Sequence, residues 1–96
     1  MTYSFTPEAR EELLEAIQHY ESESSGLGSA FLAAVQEGLD QLLAFPQSAP
    51  VVLGKVRRLV LNRFPYNLVY SLRGEEIRIL AVMNQKRRPF YWRGRK

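Results

Sequence analysis

The residues most able to do chemistry lie in the last eleven positions of this chain. Residues 86–96 hold six cations and three aromatic rings: Lys86, Arg87, Arg88, Phe90, Tyr91, Trp92, Arg93, Arg95 and Lys96. Cations bind phosphates, and aromatic faces can stack on nucleobases or on guanidinium groups. The segment is therefore a candidate surface for contact with a macromolecular target. Its candidate binding residues are Lys86, Arg87, Arg88, Tyr91, Trp92 and Arg93. The alternative is a solvated basic tail with Tyr91 and Trp92 packed over the edge of a sheet.

The charge of the chain is strongly divided between its two halves. Residues 1–50 carry eight acidic side chains against Arg10, a balance of −7. Residues 51–96 carry twelve lysines and arginines against Glu75 and Glu76, a balance of +10. The total of +3 hides this division. Such asymmetry indicates a charged partner on the basic side of the molecule.

The composition also excludes several kinds of site. The chain has no cysteine and a single histidine, His19, so neither a thiolate metal site nor a histidine pair is expected. We expect no metal ion and no cofactor. No apolar run approaches the roughly 20 residues of a membrane span, so no membrane contact is expected. The lack of cysteine and of a secretory signal favours the cytoplasm.

The elements that must position these residues begin with a strand and two helices. Alternation of apolar and polar residues predicts a strand over 2–5. Thr6 can cap a helix that has Pro7 at its first position, and apolar residues then recur at helical spacing. The segment 22–28, rich in Ser and Gly, should end this helix, and a second amphipathic helix should run to Pro46. Two helices with a short link predict an antiparallel hairpin.

The second half of the chain has the pattern of a sheet. We expect a loop over 46–54, after which the apolar period changes from about 3.6 to about 2. The pattern predicts strands over 56–61, 64–72 and 77–83. The expected order is β-α-α-β-β-β: an N-terminal strand, a helical hairpin and a three-stranded antiparallel meander, with the helices packed on one sheet. We predict one α+β domain over 1–96 with a basic C-terminal tail, 86–96.

Three more arginines flank the first sheet hairpin and could extend the basic surface: Arg57, Arg58 and Arg63. Alternation places Arg57 on the face of Leu59 and Leu61, and Arg58 on the other face. One of these two arginines therefore lies on the more buried face and could pair with an acidic side chain. The alternative for all three is ordinary surface charge.

Other charged residues are expected to be structural or solvated. The acidic residues of the first helix, Glu11, Glu12 and Glu15, have the spacing of a solvated helix face. His19 lies near the end of that helix, where a lone histidine is usually a surface residue or a cap.

Taken together, several segments of the chain resemble a known family. They are Tyr3 to Ala9, Gly26-Leu27-Gly28 with Phe31, Val56-Arg57-Arg58, Arg63 to Tyr70, Ile77 to Val82, and Arg87-Arg88-Pro89 with Tyr91-Trp92. In this order and at this length they resemble the RelE/ParE superfamily of bacterial type II toxins, and most closely its ParE branch. The resemblance covers nearly the whole chain.

The resemblance implies a toxin that arrests growth and is neutralised by a cognate antitoxin, in a hetero-oligomer. ParE-type toxins poison DNA gyrase, whereas RelE-type toxins cleave mRNA in the ribosomal A site. The antitoxin typically lies along helical and sheet surfaces of the toxin. Leu14, Leu27 and Leu43 fall partly outside the main apolar stripes, so they could form a groove for an antitoxin helix. The alternative for these leucines is core packing.

One position separates the possible mechanisms. Many relatives have histidine where this chain has Asn84, and asparagine cannot carry a proton at neutral pH. If the protein were a ribonuclease, Arg87, Tyr91 and Arg63 would be its candidate catalytic residues, but no good general base is visible. The favoured hypothesis is therefore a gyrase poison that is not itself an enzyme. The alternatives are a ribosome-dependent mRNA endoribonuclease and an inactive toxin that retains only antitoxin binding.

Overall fold

The architecture is a mixed five-stranded sheet with two helices on one face. A computed structural model describes residues 1–96. Its elements are β1 (Thr2–Phe5), α1 (Pro7–Glu23), α2 (Leu27–Ala44), β2 (Val51–Leu53), β3 (Val56–Val60), β4 (Tyr66–Arg73) and β5 (Glu76–Asn84). The strand order is β1-β5-β4-β3-β2. β1 runs parallel to β5, and the other neighbours are antiparallel. The predicted α+β class and the helices packed on one sheet are confirmed.

One strand lies where the sequence predicted a loop. β2 pairs with β3 through Val51↔Arg57 and Leu53↔Val56. Gly54 has φ +55, which allows the tight turn between the two strands. The prediction of an uninterrupted loop over 46–54 was wrong because a three-residue strand is too short to show a period.

The first helix begins as the sequence predicted, and its cap also ties it to the sheet. The Thr6 hydroxyl accepts a hydrogen bond from the Ala9 amide at 3.0 Å and donates one to the Leu80 carbonyl at 3.3 Å. Thr6 is 1% exposed, and Pro7 occupies the start of the helix. The cap therefore fixes the start of α1 beside β5.

The helical hairpin depends on two glycines. Gly26 has φ +86 and makes the turn between α1 and α2. A Cβ on Gly28 would lie 2.8 Å from the Ile17 carbonyl oxygen, so only glycine allows the helices to approach this closely. The Glu21 carboxylate accepts hydrogen bonds from the amides of both glycines and so caps α2. These contacts account for the predicted break.

Apolar side chains fill both faces of the sheet. The larger cluster lies between the helices and the sheet and contains Phe31, Phe64, Tyr66 and Tyr70, with Tyr20 packed against it. A smaller cluster lies on the opposite face of the sheet, called here the outer face: Val69, Leu80, Ala81, Met83 and Trp92. Neither helix has the combination of length and apolarity needed to cross a membrane. The outer face is where the C-terminal residues pack.

Candidate target-binding surface

The C-terminal segment, residues 86–96, folds back over the outer face. It begins where β5 ends at Asn84, and it consists of turns. Trp92 is 4% exposed and packs in the outer-face cluster. Its ring is therefore not free to stack on a nucleobase. Trp92 instead anchors the segment to the sheet, which corresponds to the packed alternative considered from the sequence.

Glu12 holds the segment from the side of α1. Its carboxylate accepts hydrogen bonds from the Tyr91 hydroxyl at 2.7 Å, from Arg95 Nη1 at 2.9 Å and from the Val82 amide at 3.0 Å. Arg95 also donates to the Leu80 carbonyl at 3.1 Å. We call Glu12, Tyr91, Arg95 and the Val82 amide the Glu12 clasp.

The expectation that Glu12 belongs to a solvated helix face was wrong. Its side chain is 14% exposed in the ion pair with Arg95. The sequence did contain a signal, because Glu12 lies three residues after Ala9 and four before Ala16, the two buried residues of α1. Such spacing places Glu12 on the buried side of the helix, where a carboxylate needs partners.

The clasp keeps the Tyr91 phenol protonated. Burial raises the pKa of Tyr91 well above its ordinary value, and the hydrogen bond to Glu12 raises it further. The charges of Arg95 and Arg87 only partly offset these effects. Tyr91 is therefore a hydrogen-bond donor at neutral pH and a poor base.

Arg87 lies against Tyr91 at the junction of two cavities. Its Cζ is 4.0 Å from the centroid of the Tyr91 ring, a cation–π contact. One cavity, the edge pocket, has a volume of about 210 Å³ and is lined by Arg87 with Glu12, Glu15, Ala16, His19, Tyr66, Val82 and Asn84. The other, the outer cleft, has a volume of about 340 Å³ and is lined by Arg87 with Val52, Arg58, Val69, Met83, Gln85, Pro89, Phe90 and Trp92.

The outer cleft combines an apolar floor with free positive charge. The structure contains two ion pairs, His19 with Glu23 and Arg95 with Glu12. Arg58 and Arg87, which both line the cleft, therefore have no carboxylate partner. The other exposed cations of this region are likewise without an ion-pair partner: Lys86, Arg88 and Arg93. An anionic group could replace the solvent around these side chains.

The remaining arginines of the predicted surface occupy different positions. Arg57 donates to the carbonyls of Gln47 at 3.2 Å and Ala49 at 2.8 Å, and so holds the loop before β2. Arg63 lies in the turn between β3 and β4, with its Cζ 5.5 Å from the Phe64 ring centroid. The structure thus places Arg58 and Arg87 at one cleft. The expectation of an acidic partner for the more buried arginine was wrong, because Arg57 bonds the backbone carbonyls of a loop and forms no ion pair.

Asn84 and His19 are both close to the edge pocket. The Asn84 side-chain oxygen accepts from the Lys86 amide at 2.9 Å, so Asn84 shapes the turn that starts the C-terminal segment. His19 lines the same pocket and lies 3.6 Å from Glu23. No group of three or more His, Cys, Asp or Glu side chains is arranged to hold a metal ion.

The three leucines considered for a helical groove differ in exposure. Leu14 is 49% exposed on α1. Leu27 and Leu43 are partly buried and pack against the larger core cluster. Only Leu14 therefore offers substantial apolar surface to a partner.

Comparison with known proteins identifies the family. A family model described as the ParE toxin of type II toxin-antitoxin system, parDE, matches residues 3–89. This chain belongs to the ParE toxin family. A solved structure described as the chromosomal ParDE TA system from P. aeruginosa is 27% identical, covers 88% of this chain and 95% of its own, and superposes with a TM-score of 0.65. A comparison with curated proteins gave no match.

The family assignment confirms the resemblance found in the sequence. A ParE toxin belongs to a type II toxin–antitoxin system, and such a system implies an antitoxin partner. The match ends at residue 89, so Tyr91, Trp92 and Arg95 lie beyond it whereas Glu12 lies within it. The clasp therefore joins the family region to residues outside the matched part of the chain.

Proposed function

We propose that this toxin arrests growth by binding DNA gyrase and trapping its cleaved complex with DNA, and that a cognate antitoxin neutralises it. The observation that carries the proposal is the free basic surface around Arg58 and Arg87, in a chain of the ParE family. A poison of this kind needs a binding surface and no chemistry of its own. Gyrase and its DNA lie in the bacterial cytoplasm, so the toxin would act there.

Tyr91 and Asn84, at the basic end of the molecule, are poorly suited to proton transfer, which favours binding over catalysis. Cleavage of RNA needs a group that takes a proton from the attacking 2′-hydroxyl. The Tyr91 hydroxyl already donates a hydrogen bond to Glu12, and its raised pKa disfavours the phenolate. Asn84 cannot carry a proton. The basic end of the molecule is thus better suited to holding a charged partner than to cleaving one.

The exposed cations are the proposed contacts with the target. Arg58 and Arg87 are placed at the outer cleft, and Lys86, Arg88 and Arg93 lie on exposed turns of the segment that borders it. Arg63 would extend the surface at the end of the sheet where β5 finishes, since Tyr66 pairs with Asn84. Arg57, Tyr91 and Trp92 would support the surface from behind, because each already has a partner within the protein.

The antitoxin would cover part of the same basic half. Exposed arginines without partners are complementary to acidic side chains, which would raise the association rate and fix the orientation of the complex. Leu14 is the leucine best placed to meet an apolar residue of an antitoxin helix, because it is half exposed on α1. Leu27 and Leu43 would contribute less.

One observation favours a second candidate, a ribosome-dependent endoribonuclease. The edge pocket brings His19, Asn84 and Arg87 to one cavity, and histidine can carry a proton at neutral pH. In that case Arg87 would bind the scissile phosphate, and Arg63 and Tyr91 would assist it. His19 would then supply what Asn84 cannot.

Controlled expression in bacterial cells tests the proposal. A gyrase poison induces DNA-damage signalling and filamentation without cleaved mRNA, and the cognate antitoxin restores growth. Arg87→Ala should strongly reduce DNA-damage signalling and filamentation, whereas Arg10→Ala, which removes a cation from the acidic half, should retain them. Codon-boundary cuts in mRNA that disappear with His19→Ala would support the ribonuclease instead. Normal growth with retained antitoxin binding would identify an inactive toxin.

A further inference from the structure

The carboxylate of Glu12 is the meeting point of three distant parts of the chain. Glu12 lies on α1, and its carboxylate accepts hydrogen bonds from Val82, Tyr91 and Arg95. These residues follow it in the chain by 70, 79 and 83 positions. We infer that Glu12 is a positioning residue: it fixes Tyr91, and Tyr91 in turn fixes the target-binding guanidinium of Arg87.

In the first step, the edge of β5 that β1 leaves open holds the Glu12 carboxylate in place. The parallel pairing of β1 with β5 stops at Phe5↔Ile79, so the backbone of β5 has an open edge beyond that point. The Val82 amide would be unpaired there, and Glu12 Oε1 accepts its hydrogen bond at 3.0 Å. The edge of the sheet thus holds one oxygen of the carboxylate in a fixed place.

In the second step, the Glu12 carboxylate fixes Tyr91 through a hydrogen bond. Glu12 Oε2 accepts from the Tyr91 hydroxyl at 2.7 Å, and Oε1 accepts from Arg95 at 2.9 Å. Hydrogen bonds to an ionised carboxylate are short and strong. A glutamine amide nitrogen cannot accept, so Gln at position 12 could not serve all three donors. The hydrogen bonds of Tyr91 and Arg95, one before and one after Trp92 in the chain, therefore fix the path of the C-terminal segment.

The third step is the contact between Tyr91 and Arg87. The Arg87 Cζ lies 4.0 Å from the ring centroid, and its guanidinium makes no hydrogen bond or ion pair with any other residue. An unpaired arginine would otherwise move among many rotamers. The ring restricts the guanidinium to the junction of the edge pocket and the outer cleft.

The direct test measures the Arg87–Tyr91 contact by NMR, since an aromatic ring at this distance shifts the resonances of the Arg87 side chain upfield. Tyr91→Leu removes the ring and defines the shift without it. Glu12→Ala should lose at least about half of the ring-induced shift, and Glu12→Gln should lose a smaller part. Glu11→Ala, at an exposed neighbouring position, should keep the full shift. An unchanged shift in Glu12→Ala would overturn the inference.

A second readout concerns activity and rests on the proposed function. In a gyrase cleavage assay, Glu12→Ala and Arg87→Ala should each reduce activity by about tenfold, and the double variant should be no worse than Arg87→Ala. Additive losses would mean that Glu12 acts only through overall stability, and would overturn the positioning role. If the unmodified protein has no effect on gyrase, the proposed function fails, while the NMR result still decides whether Glu12 positions Arg87.

Discussion

The burial of Trp92 predicts that the C-terminal segment contributes substantially to the stability of the fold. Trp92 is 4% exposed and packs with Val69, Leu80, Ala81 and Met83. A tryptophan buries about 150–250 Å². At about 25 cal/mol per Å² this corresponds to about 4–6 kcal/mol as an upper limit, which a compact unfolded state reduces by about 10–40%. We therefore expect Trp92→Ala to lower the free energy of unfolding by about 3 kcal/mol, at the lower end of measured Trp→Ala losses.

Urea denaturation followed by far-UV circular dichroism measures this loss without relying on the fluorescence of the only tryptophan. A loss of about 3 kcal/mol should also lower the melting temperature by about 12–24 °C for a domain of this size. Phe90→Ala is the matched control, because Phe90 is 41% exposed and meets the edge of Trp92 in a T-shaped contact. Phe90→Ala should lower the free energy of unfolding by only about 1 kcal/mol. A loss below about 1 kcal/mol for Trp92→Ala, or equal losses for both variants, would refute the packing argument.

Three further predictions concern the helices, the clasp and the partner. Gly28→Ala should lower the free energy of unfolding by about 1–2 kcal/mol because the added Cβ would clash with the Ile17 carbonyl oxygen, and this outweighs the higher helix propensity of alanine. An unchanged urea denaturation curve would contradict this prediction. The raised pKa of Tyr91 stabilises the fold below its ordinary pKa of 10.0, and this contribution is lost as the pH rises above that value. Because a single proton titrates, the loss cannot exceed about 1.4 kcal/mol per pH unit, and the partial exposure of Tyr91 makes it smaller. The stability of Tyr91→Phe, measured by denaturation, should therefore decline less steeply at alkaline pH, and identical declines would argue against the clasp. Antitoxin affinity, measured by fluorescence anisotropy, should weaken as salt increases; constant affinity would exclude a complex built on the exposed cations.

Local sequence patterns were sufficient to predict the fold class and every element except β2. Thr6 and Pro7 define the start of α1, and Gly26 with Gly28 defines the break between the helices. The alternation of side chains along β3 also predicted different environments for Arg57 and Arg58. Arg57 is partly buried and donates hydrogen bonds to the loop before β2, whereas Arg58 is exposed at the outer cleft. These features depend on residues close together in the chain, where periodicity and caps act.

The clasp could not be predicted in the same way. Glu12 and Arg95 are 83 residues apart, and no local pattern indicates that they meet. The meeting depends on the parallel placement of β1 beside β5, which brings α1 next to the end of the chain. The position of Trp92 on the outer face likewise depends on how the segment turns after Asn84. Charge and aromatic content identified the segment, but only the three-dimensional arrangement distinguishes its anchors from its free cations.

The proposed target of the free cations of this ParE toxin is gyrase on DNA. The most direct measurement incubates the purified protein with gyrase, ATP and supercoiled plasmid, followed by protease treatment and electrophoresis. We predict accumulation of linear DNA that is strongly reduced with Arg87→Ala, retained with Arg10→Ala and suppressed by the cognate antitoxin. Folded protein that binds its antitoxin yet leaves the plasmid uncleaved would contradict the claim.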